Sequence, residues 1–313
     1  MKILFITSNR LGDAVLSTGV LTQLVEHYPN ARFTIVCGPY AAGLFRAVPR
    51  LERLIMLQKQ RLNFHWLSLW SDCVATRWNL IVDLRNSLIT RLLFADKRLY
   101  RGRHRGQHKV IENARVIQIA QPPAPHIWLD TQAEQEAAHL LPSARPLLAL
   151  GPAANWPPKQ WPVERFVALA QKLTAEDGPL PKASVLVIAS ESENEIVQPF
   201  RQALPAGKCI PIIGHGLLTI AACLKECALY IGNDSGLMHL AAAIHIPVLG
   251  LFGPGEKDVY GPWGGHVVHT PESREELLGR LSSPAAVSPN LMGGLDVEKV
   301  YQAAGELLEK SNS

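Results

Sequence analysis

One stretch of the chain, residues 228–253, constrains the fold more than any other. It begins with a short apolar run typical of a buried strand, and the polar turn Gly-Asn-Asp-Ser-Gly follows at 232–236. An Ala-rich apolar segment at 237–244 then predicts a buried helix, and residues 248–252 predict a second buried strand. The stretch therefore predicts a parallel β-α-β unit, which is the building block of α/β folds.

The turn of this unit has the chemistry of an anion site. Asp234 and Ser235 can cap the predicted helix, Gly236 lets a ligand approach the backbone, and the free N–H groups of a helix start attract phosphate. His239 lies one helical turn further on and faces the same side. Capped helices after strands occur in every α/β domain, and a histidine on an apolar helix is more often a core residue. The turn alone leaves both interpretations open.

The N-terminus predicts a second β-α-β unit and a Rossmann-like domain. A buried strand at 2–7 is followed by a turn at 8–13 and a helix with an apolar stripe at 14–27. Asp13 lies beyond the carboxyl end of that strand, where open α/β sheets place their chemistry. It can serve as a general base or cap the helix, and spacing alone favours the cap. The absence of Gly-x-Gly-x-x-Gly after the strand argues against a nicotinamide or flavin dehydrogenase.

Composition leaves room for two domains. The chain has 313 residues, of which 47% are hydrophobic, and a formal net charge of +4, too little by itself to indicate nucleic-acid binding. Its five cysteines form no Cys-x-x-Cys pair, so we expect reduced thiols in a cytoplasmic protein and no metal site. The N-terminus is not typical of a signal peptide, and no apolar run approaches the ~20 residues of a membrane span. Prolines at 142–146 predict a boundary between domains 1–143 and 144–313.

The segment 91–109 is strongly basic. A solvated loop is one interpretation, and the lack of aromatic interleaving beyond Tyr100 disfavours binding of single-stranded nucleic acid. Arginine forks match phosphate and carboxylate groups, and anionic lipid headgroups attract basic segments. Phe64, Trp66, Trp70 and Trp78 are candidates for lipid contact, although the near-helical spacing of Trp66 and Trp70 favours packing.

Two loops of the C-terminal half carry candidate binding groups. Lys159 follows a predicted strand in the sequence Lys-Gln-Trp-Pro, where an ammonium group suits a phosphate oxygen, although a surface lysine is the commoner outcome. Asn155 precedes it. Glu191 and Glu193 follow a predicted strand at 184–189, and their carboxylates can accept hydrogen bonds from ribose hydroxyls or begin a solvated helix.

Three motifs together resemble glycosyltransferase family 9, the heptosyltransferases of lipopolysaccharide core synthesis. The string Gly-Asn-Asp-Ser-Gly-Leu-Met-His-Leu-Ala-Ala-Ala is similar to the donor-phosphate motif of the family, Asp-[Ser/Thr]-Gly-x-x-His-x-Ala-Ala. Asn-Arg-Leu-Gly-Asp resembles its first loop, and Lys-Gln-Trp-Pro its Lys-x-Trp-Pro motif. The chain departs from the family at Ala153 and Ala154, where a hydroxyl is common, and Asn155 is the candidate to replace it.

The resemblance implies a role for each candidate. Asp13 corresponds to the proposed catalytic base, and Lys159 to the lysine that reaches the donor pyrophosphate. The implied donor-binding residues are Lys159, Asn155, Glu191, Glu193, Asp234, Ser235, Gly236 and His239. The acceptor-binding candidates are Gly12, Arg61, Arg85, Arg91 and Arg101.

The resemblance also implies a GT-B fold, an α/β architecture of two Rossmann-like domains that face an interdomain cleft. Domain 1–143 would bind the acceptor and domain 144–313 the nucleotide-sugar donor, with the final helix packing back on the first domain. The implied reaction is inverting, metal-independent transfer of heptose from ADP-heptose to a lipopolysaccharide core acceptor. It would need no cofactor besides the donor substrate and no nucleic acid, and would take place in the cytoplasm, with the enzyme peripheral at the inner face of the inner membrane. The alternatives are another nucleotide-sugar-dependent glycosyltransferase, a 2-epimerase of GT-B form, or a catalytically silent nucleotide- or lipid-binding homologue.

Overall fold

The computed structural model of the chain describes residues 1–58, 60, 64–102, 106–143, 146–281 and 290–312. The chain divides into two compact units, Met1–Asp130 and Thr131–Ser313. Each contains one sheet, and every strand pairing in both sheets is parallel. Among the described residues, no helix combines the length and apolar character needed to cross a bilayer.

The first unit is a five-stranded sheet in the order β3-β2-β1-β4-β5. Its strands are β1 Lys2–Ile6, β2 Arg32–Cys37, β3 Leu51–Met56, β4 Trp78–Asp83 and β5 Ala95–Tyr100. Its helices are α1 Leu11–Val15, α2 Thr18–His27, α3 Pro39–Ala42, α4 His65–Cys73 and α5 Lys109–Val116, with 3-10 turns at Gly43–Phe45 and Leu88–Leu92.

The second unit is a six-stranded sheet in the order β11-β10-β9-β6-β7-β8. Its strands are β6 Leu147–Gly151, β7 Ser184–Ala189, β8 Cys209–Ile213, β9 Leu229–Asn233, β10 Val248–Phe252 and β11 His266–His269. Its helices are α6 Thr131–Leu140, α7 Val163–Thr174, α8 Gln198–Ala203, α9 Leu217–Lys225, α10 Gly236–Ala243, α11 Lys257–Tyr260, α12 Arg274–Leu281 and α13 Val297–Asn312, with 3-10 turns at Pro157–Lys159 and Glu191–Val197.

The strand order in each sheet reverses at one point. In the first sheet the chain runs outward from β1 to β3 and then returns to add β4 on the other side of β1. In the second sheet it runs from β6 to β8 and returns to add β9 beside β6. Loops diverge from the carboxyl ends of the two strands at such a point and leave room for a ligand. Each unit therefore has one preferred place for a binding site.

The helices and boundaries differ from the sequence-based predictions in two places. The helix predicted at 14–27 is two helices, and the hydroxyls of Ser17 and Thr18 bond to the carbonyls of Ala14 and Val15 at the break. The boundary predicted after residue 143 comes too late, because α6 packs on α9 and so belongs to the second unit. The final helix α13 packs on α7, β10 and β11 of the second unit.

Candidate functional site

The reversal point of the second sheet brings Lys159 and Asp234 together. Lys159 ends the 3-10 turn that follows β6, and Asp234 comes directly after β9, the neighbouring strand. The Nζ of Lys159 donates a hydrogen bond to Oδ2 of Asp234 in a close ion pair. The carboxylate is nearly buried, whereas 23% of the lysine side chain stays exposed. The Lys159 side chain of this pair is therefore partly accessible at the carboxyl ends of β6 and β9.

The helix start beside this pair leaves its backbone donors uncapped. Ser235 is the N-cap residue of α10, but neither it nor Asp234 forms the side-chain cap that the sequence predicted. That prediction was wrong because the Asp234 carboxylate pairs with an ammonium group instead. The Ser235 Oγ is buried and has no hydrogen-bond partner among the described residues. The free N–H groups, the helix dipole and this hydroxyl form a site suited to phosphate.

Asn233, which was not among the residues predicted from the sequence, fixes the loop that carries Lys159. Its fully buried side chain accepts a hydrogen bond from the backbone N–H of Trp161 at 3.0 Å and donates one to the carbonyl of Pro152 at 2.7 Å. The buried Trp161 indole in turn donates to the carbonyl of Leu295 at 2.8 Å. These contacts hold both ends of the loop that carries Lys159. The only sequence signal was its position, an asparagine at the end of an apolar strand beside Asp234.

A tyrosine lies beneath the reversal point. Tyr230 of β9 is fully buried, and burial raises the pKa of its phenol above the usual range, an effect that the nearby Ser235 hydroxyl offsets only in part. Gly151 and Gly232 face each other across β6 and β9. A Cβ atom on either one would lie within 2.8 Å of the Tyr230 Cζ and closer still to its hydroxyl. The two glycines thus make room for the aromatic ring.

The first unit contains a cavity of about 820 Å³ at the carboxyl ends of β1, β4 and β5. Its lining includes three residues that the sequence analysis selected, Asp13, Arg85 and Arg101. The other lining residues are Thr7, Ser8, Ser17, Leu84, Asn86, Gly102, Lys109 and Asn113. The cavity thus combines one carboxylate from the first loop with several cationic groups.

Asp13 keeps one carboxylate oxygen uncompensated. It lies within the first turn of α1, whose N-cap residue is Arg10, so the cap that its spacing favoured is not observed. Its Oδ2 accepts a long hydrogen bond of 3.4 Å from the Ser8 hydroxyl. Its Oδ1 is buried and has no partner among the residues that the structure describes. A buried oxygen without a donor is free to accept a proton or a hydrogen bond from a ligand hydroxyl.

Asp83 positions Arg85 at the wall of the cavity. The carboxylate of Asp83 is fully buried and accepts hydrogen bonds from the backbone N–H groups of Arg85 and Ser87 at 2.9 and 2.8 Å, as well as from the Thr90 hydroxyl at 2.9 Å. The Arg85 guanidinium stacks 4.9 Å from the Trp66 ring centroid. Burial lowers the pKa of Arg85, and the Asp83 charge opposes that shift. The arginine is thereby held in a fixed orientation.

A second group of charges lines the cavity beside Arg101. The buried carboxylate of Glu112 accepts hydrogen bonds from Arg101 and, at 2.9 Å, from the buried Lys109. Two cations therefore share one anion, which leaves net positive charge at the wall. In the sequence, Lys109 stands out only as part of the basic segment 91–109. Lys109 was not recognisable as a cavity residue, because its placement depends on how α5 packs against α2.

A family model for glycosyltransferase family 9 (heptosyltransferase) matches residues 90–278, more than half of the chain. The chain belongs to glycosyltransferase family 9. This membership confirms the resemblance that the three motifs carried, and it makes the protein a glycosyltransferase.

Proteins similar to this family 9 enzyme share its length and fold. Lipooligosaccharide heptosyltransferase 2 of Haemophilus influenzae is 24% identical over 296 residues, which cover 81% of this chain and 84% of the relative. The crystal structure of the glycosyl transferase family 9 from Veillonella parvula has a TM-score of 0.78 at 22% identity and covers 99% of this chain and 97% of that one. The Escherichia coli ADP-heptose lps heptosyltransferase II has a TM-score of 0.75 at 20% identity, with 100% of both chains covered. The predicted GT-B class, with two Rossmann-like units, is confirmed.

The remaining candidates of this family 9 enzyme lie in several surroundings. Glu193 accepts hydrogen bonds from Ser190 in a capping box. Glu191 follows β7, is exposed and lies near Gly214. The exposed residue Asn155 lies in the loop after β6, and His239 is buried in α10.

Three acceptor candidates of the family 9 enzyme remain to be placed. Arg91 is exposed over the Tyr100 ring, 5.3 Å from its centroid, and is not part of the cavity lining. Gly12 precedes Asp13 in α1, and Arg61 lies outside the described residues. The described residues contain no group of three or more His, Cys, Asp or Glu side chains that could hold a metal ion.

Proposed function

We propose that this enzyme transfers heptose from ADP-heptose to an acceptor of the lipopolysaccharide core, with inversion at the anomeric carbon and without a metal ion. The observation that carries the proposal is the uncompensated Oδ1 of Asp13 in a cavity with cationic walls. A base beside an anion-binding surface suits an acceptor that is a phosphorylated or carboxylated sugar. The printed names of the relatives, lipooligosaccharide heptosyltransferase 2 and ADP-heptose lps heptosyltransferase II, support the choice of substrates.

The donor diphosphate would bind at the start of α10. The backbone N–H groups of Gly236 and Leu237, the Ser235 hydroxyl and the Lys159 ammonium can all donate to its oxygens. Lys159 would exchange part of its contact with Asp234 for the diphosphate. Glu191 and Glu193 remain candidates for the ribose, with Asn155 and His239 near the donor. We assign donor binding to the second unit and acceptor binding to the first.

The reaction would be a single displacement. Asp13 accepts the proton of the acceptor hydroxyl, whose oxygen attacks the anomeric carbon as the bond to ADP breaks. One attack from the face opposite the leaving group inverts that carbon. Lys159 and the α10 N-terminus stabilise the negative charge that develops on ADP, as preorganised donors do for a leaving group. Their positive charge takes the place that a divalent cation holds in other transferases.

The acceptor would lie against Arg85, Arg101 and Lys109. Fixed guanidinium groups bind phosphate and carboxylate in a defined orientation, which aligns one hydroxyl with Asp13. Gly12, Arg61 and Arg91 remain acceptor candidates in the same unit. A lipid-linked acceptor would place the enzyme in the cytoplasm, peripheral to the inner face of the inner membrane.

The Asp13→Asn variant tests the proposal because it keeps the shape of the side chain and removes the base. With ADP-heptose and a truncated core acceptor, we expect the turnover number to fall by about 10²–10⁴, the usual contribution of a general base. ADP binding, measured by calorimetry, should stay within a factor of two or so of wild type because the donor groups lie elsewhere. Unchanged turnover would remove Asp13 from the mechanism, and wild-type protein without any heptosyl transfer would refute the proposed substrates.

A further inference from the structure

Exposed large apolar side chains are confined to the first unit. Among the described residues, each large hydrophobic side chain in the exposed class belongs to residues 1–94, and none lies in the second unit. Five of them occur on two neighbouring elements, α4 with the residue before it and the 3-10 turn Leu88–Leu92 with the segment after it. We call these five the apolar strip: Phe64, Leu67, Leu88, Leu92 and Phe94.

The strip is an outer surface of elements that are anchored from the inside. α4 and the 3-10 turn pack against each other. Their inward side chains, Leu69, Cys73 and Leu93, belong to one core cluster, against which the partly buried Trp66 and Trp70 also pack. The predicted packing of these two tryptophans is therefore observed. Every strip residue, by contrast, is more than half exposed. An apolar surface on such fixed elements commonly marks a binding site for a partner or a membrane.

The strip begins at the rim of the cavity. Arg85 and Asn86 line the cavity, and Leu88 follows two residues later on the same turn that Asp83 fixes. Residues 88–94 then run back along the sheet toward the start of β4. There the carbonyl of Phe94 accepts a hydrogen bond at 2.9 Å from the N–H of Trp78. An acceptor held in the cavity would therefore have the strip beside it. Apolar chains attached to such an acceptor would lie along this surface.

The charges around the strip are positive. Arg91 stands between Leu88 and Leu92 and is exposed, and Lys97 is exposed on the adjacent edge strand β5. Two acidic residues lie nearby, and each is paired with an arginine. Asp72 lies at the end of α4 away from Phe64, with its Oδ1 3.9 Å from an Arg53 nitrogen, and the exposed Asp96 of β5 accepts a hydrogen bond at 2.8 Å from Arg77. Apolar side chains interspersed with basic ones bind anionic bilayers, because the apolar groups enter the interface while the basic groups stay near the headgroups.

We propose that the apolar strip docks this enzyme on an anionic phospholipid membrane, with the cavity opening beside the bilayer surface. The inference deepens the proposed function, since it explains how a lipid-linked acceptor reaches Asp13. An anionic membrane is the favoured occupant because it fits both the exposed leucines and Arg91. A symmetric dimer through this surface would bring two copies of the same positively charged patch together, which is electrostatically unfavourable.

The test compares one double variant of the strip with a single-substitution control at a residue of similar exposure. In Leu88→Ser/Leu92→Ser the strip loses two side chains that are exposed and lie outside the cavity lining. The control is Met56→Ser, because Met56 and Leu92 are both 62% exposed and Met56 lies on β3, at the sheet edge opposite β5. Co-sedimentation is measured with vesicles of phosphatidylethanolamine and phosphatidylglycerol, and with vesicles of phosphatidylcholine alone.

We expect wild type and Met56→Ser to bind the anionic vesicles and the double variant to bind them at least about tenfold more weakly. Arg91→Glu should weaken binding to the anionic vesicles and leave binding to phosphatidylcholine unchanged. Equal binding of the double variant and wild type would overturn the proposal, as would failure of wild type to bind. A dimer that the double variant dissociates without change in vesicle binding would assign the strip to a second copy.

Turnover separates this proposal from the proposed function. On a deacylated, water-soluble acceptor, the double variant should keep the wild-type rate, whereas on acceptor embedded in vesicles its rate should fall in step with binding. Vesicle binding that depends on the strip, in a protein that transfers no heptose, would sustain the docking surface and refute the function. Heptosyl transfer by a protein whose vesicle binding does not depend on the strip would support the proposed function and refute the docking surface.

Discussion

At the scale of single residues, the site is built from charges held before any ligand arrives. Asp234 holds Lys159 in a half-buried ion pair, whereas Asp13 has an oxygen with no partner among the described residues. Removing one member of a buried pair costs more than the pair contributes, because the other charge remains without compensation. Asp13 and Lys159 therefore respond differently to substitution. Loss of Asp13 would remove the proposed base, whereas loss of Lys159 would also leave the Asp234 carboxylate without its partner.

The Lys159→Met variant tests whether loss of this lysine affects both stability and nucleotide binding. It leaves the Asp234 carboxylate nearly buried and unpaired, so we expect the free energy of unfolding to fall by about 1–3 kcal/mol, less than for a fully buried pair since the lysine is partly exposed. ADP affinity should fall at least about tenfold, because the diphosphate loses a cation and meets an uncompensated carboxylate. Denaturant titration and calorimetry measure the two quantities.

The matched control is Lys172→Met, since Lys172 forms an ion pair with Glu298 on the surface of the same unit. An exposed pair contributes about 0–1 kcal/mol, so stability should change little and ADP affinity not at all. Equal effects of the two substitutions would show that Lys159 acts as an ordinary surface lysine.

At the scale of elements, the paired strands β6 and β9 form the floor of the proposed donor site. Gly151 and Gly232 lie opposite each other there because Tyr230 fills the space that their side chains would take. The tyrosine hydroxyl has no hydrogen-bond partner of good geometry among the described residues. Shape, rather than hydrogen bonding, therefore fixes this aromatic ring beneath the lysine loop and the start of α10.

The Gly151→Ala substitution should destabilise the protein by about 1–3 kcal/mol, the usual cost of overpacking a closed core. Tyr230→Phe alone should change stability by less than about 1 kcal/mol, since the hydroxyl that it removes is not well bonded. In the Tyr230→Phe background, Gly151→Ala should cost less, because the closest clash is with that hydroxyl. A double-mutant cycle in urea measures this coupling, and strict additivity would show that the strands move apart instead.

Elements whose pattern is local were predictable from the sequence. The β-α-β unit at 228–253 is observed as β9, α10 and β10, since strand, turn and buried helix each carry their own signal. Strand β5 was missed because its sequence, Ala-Asp-Lys-Arg-Leu-Tyr, is that of a half-exposed edge strand and lies in a basic segment. Helix α6 was assigned to the wrong unit, since only its long-range packing on α9 shows where it belongs.

The site was predictable only in part, because a local pattern can mark single residues but cannot encode contacts between residues that are distant in sequence. Asp13, Lys159 and Asp234 occur in motifs, and they lie at the carboxyl edges of the sheets as expected. The ion pair between Lys159 and Asp234 joins residues 75 positions apart, and no local pattern encodes it. The contacts of Asn233 and the four hydrogen bonds that Asp83 accepts near Arg85 likewise depend on loops that fold around a buried polar group.

At the scale of the whole molecule, each unit places its chemistry where its own strand order reverses. The first unit carries the carboxylate and the cationic cavity between β1 and β4, and the second carries the lysine and helix start between β6 and β9. The residues proposed to bind the donor all belong to the second unit. A nucleotide should therefore stabilise that unit by itself.

Amide hydrogen exchange with ADP, UDP and GDP in turn, without added metal, tests this division. We expect ADP to slow exchange in the segment after β6 and at the start of α10, because bound diphosphate must be released before these N–H groups open. At 100 times its dissociation constant a ligand adds about 2.7 kcal/mol to the stability of the state that binds it, which corresponds to roughly 100-fold slower exchange. Exchange in β1 and β4 should not change. A larger effect of UDP or GDP would refute the adenine nucleotide while retaining the site, and protection confined to the first unit would show that donor and acceptor were assigned to the wrong units.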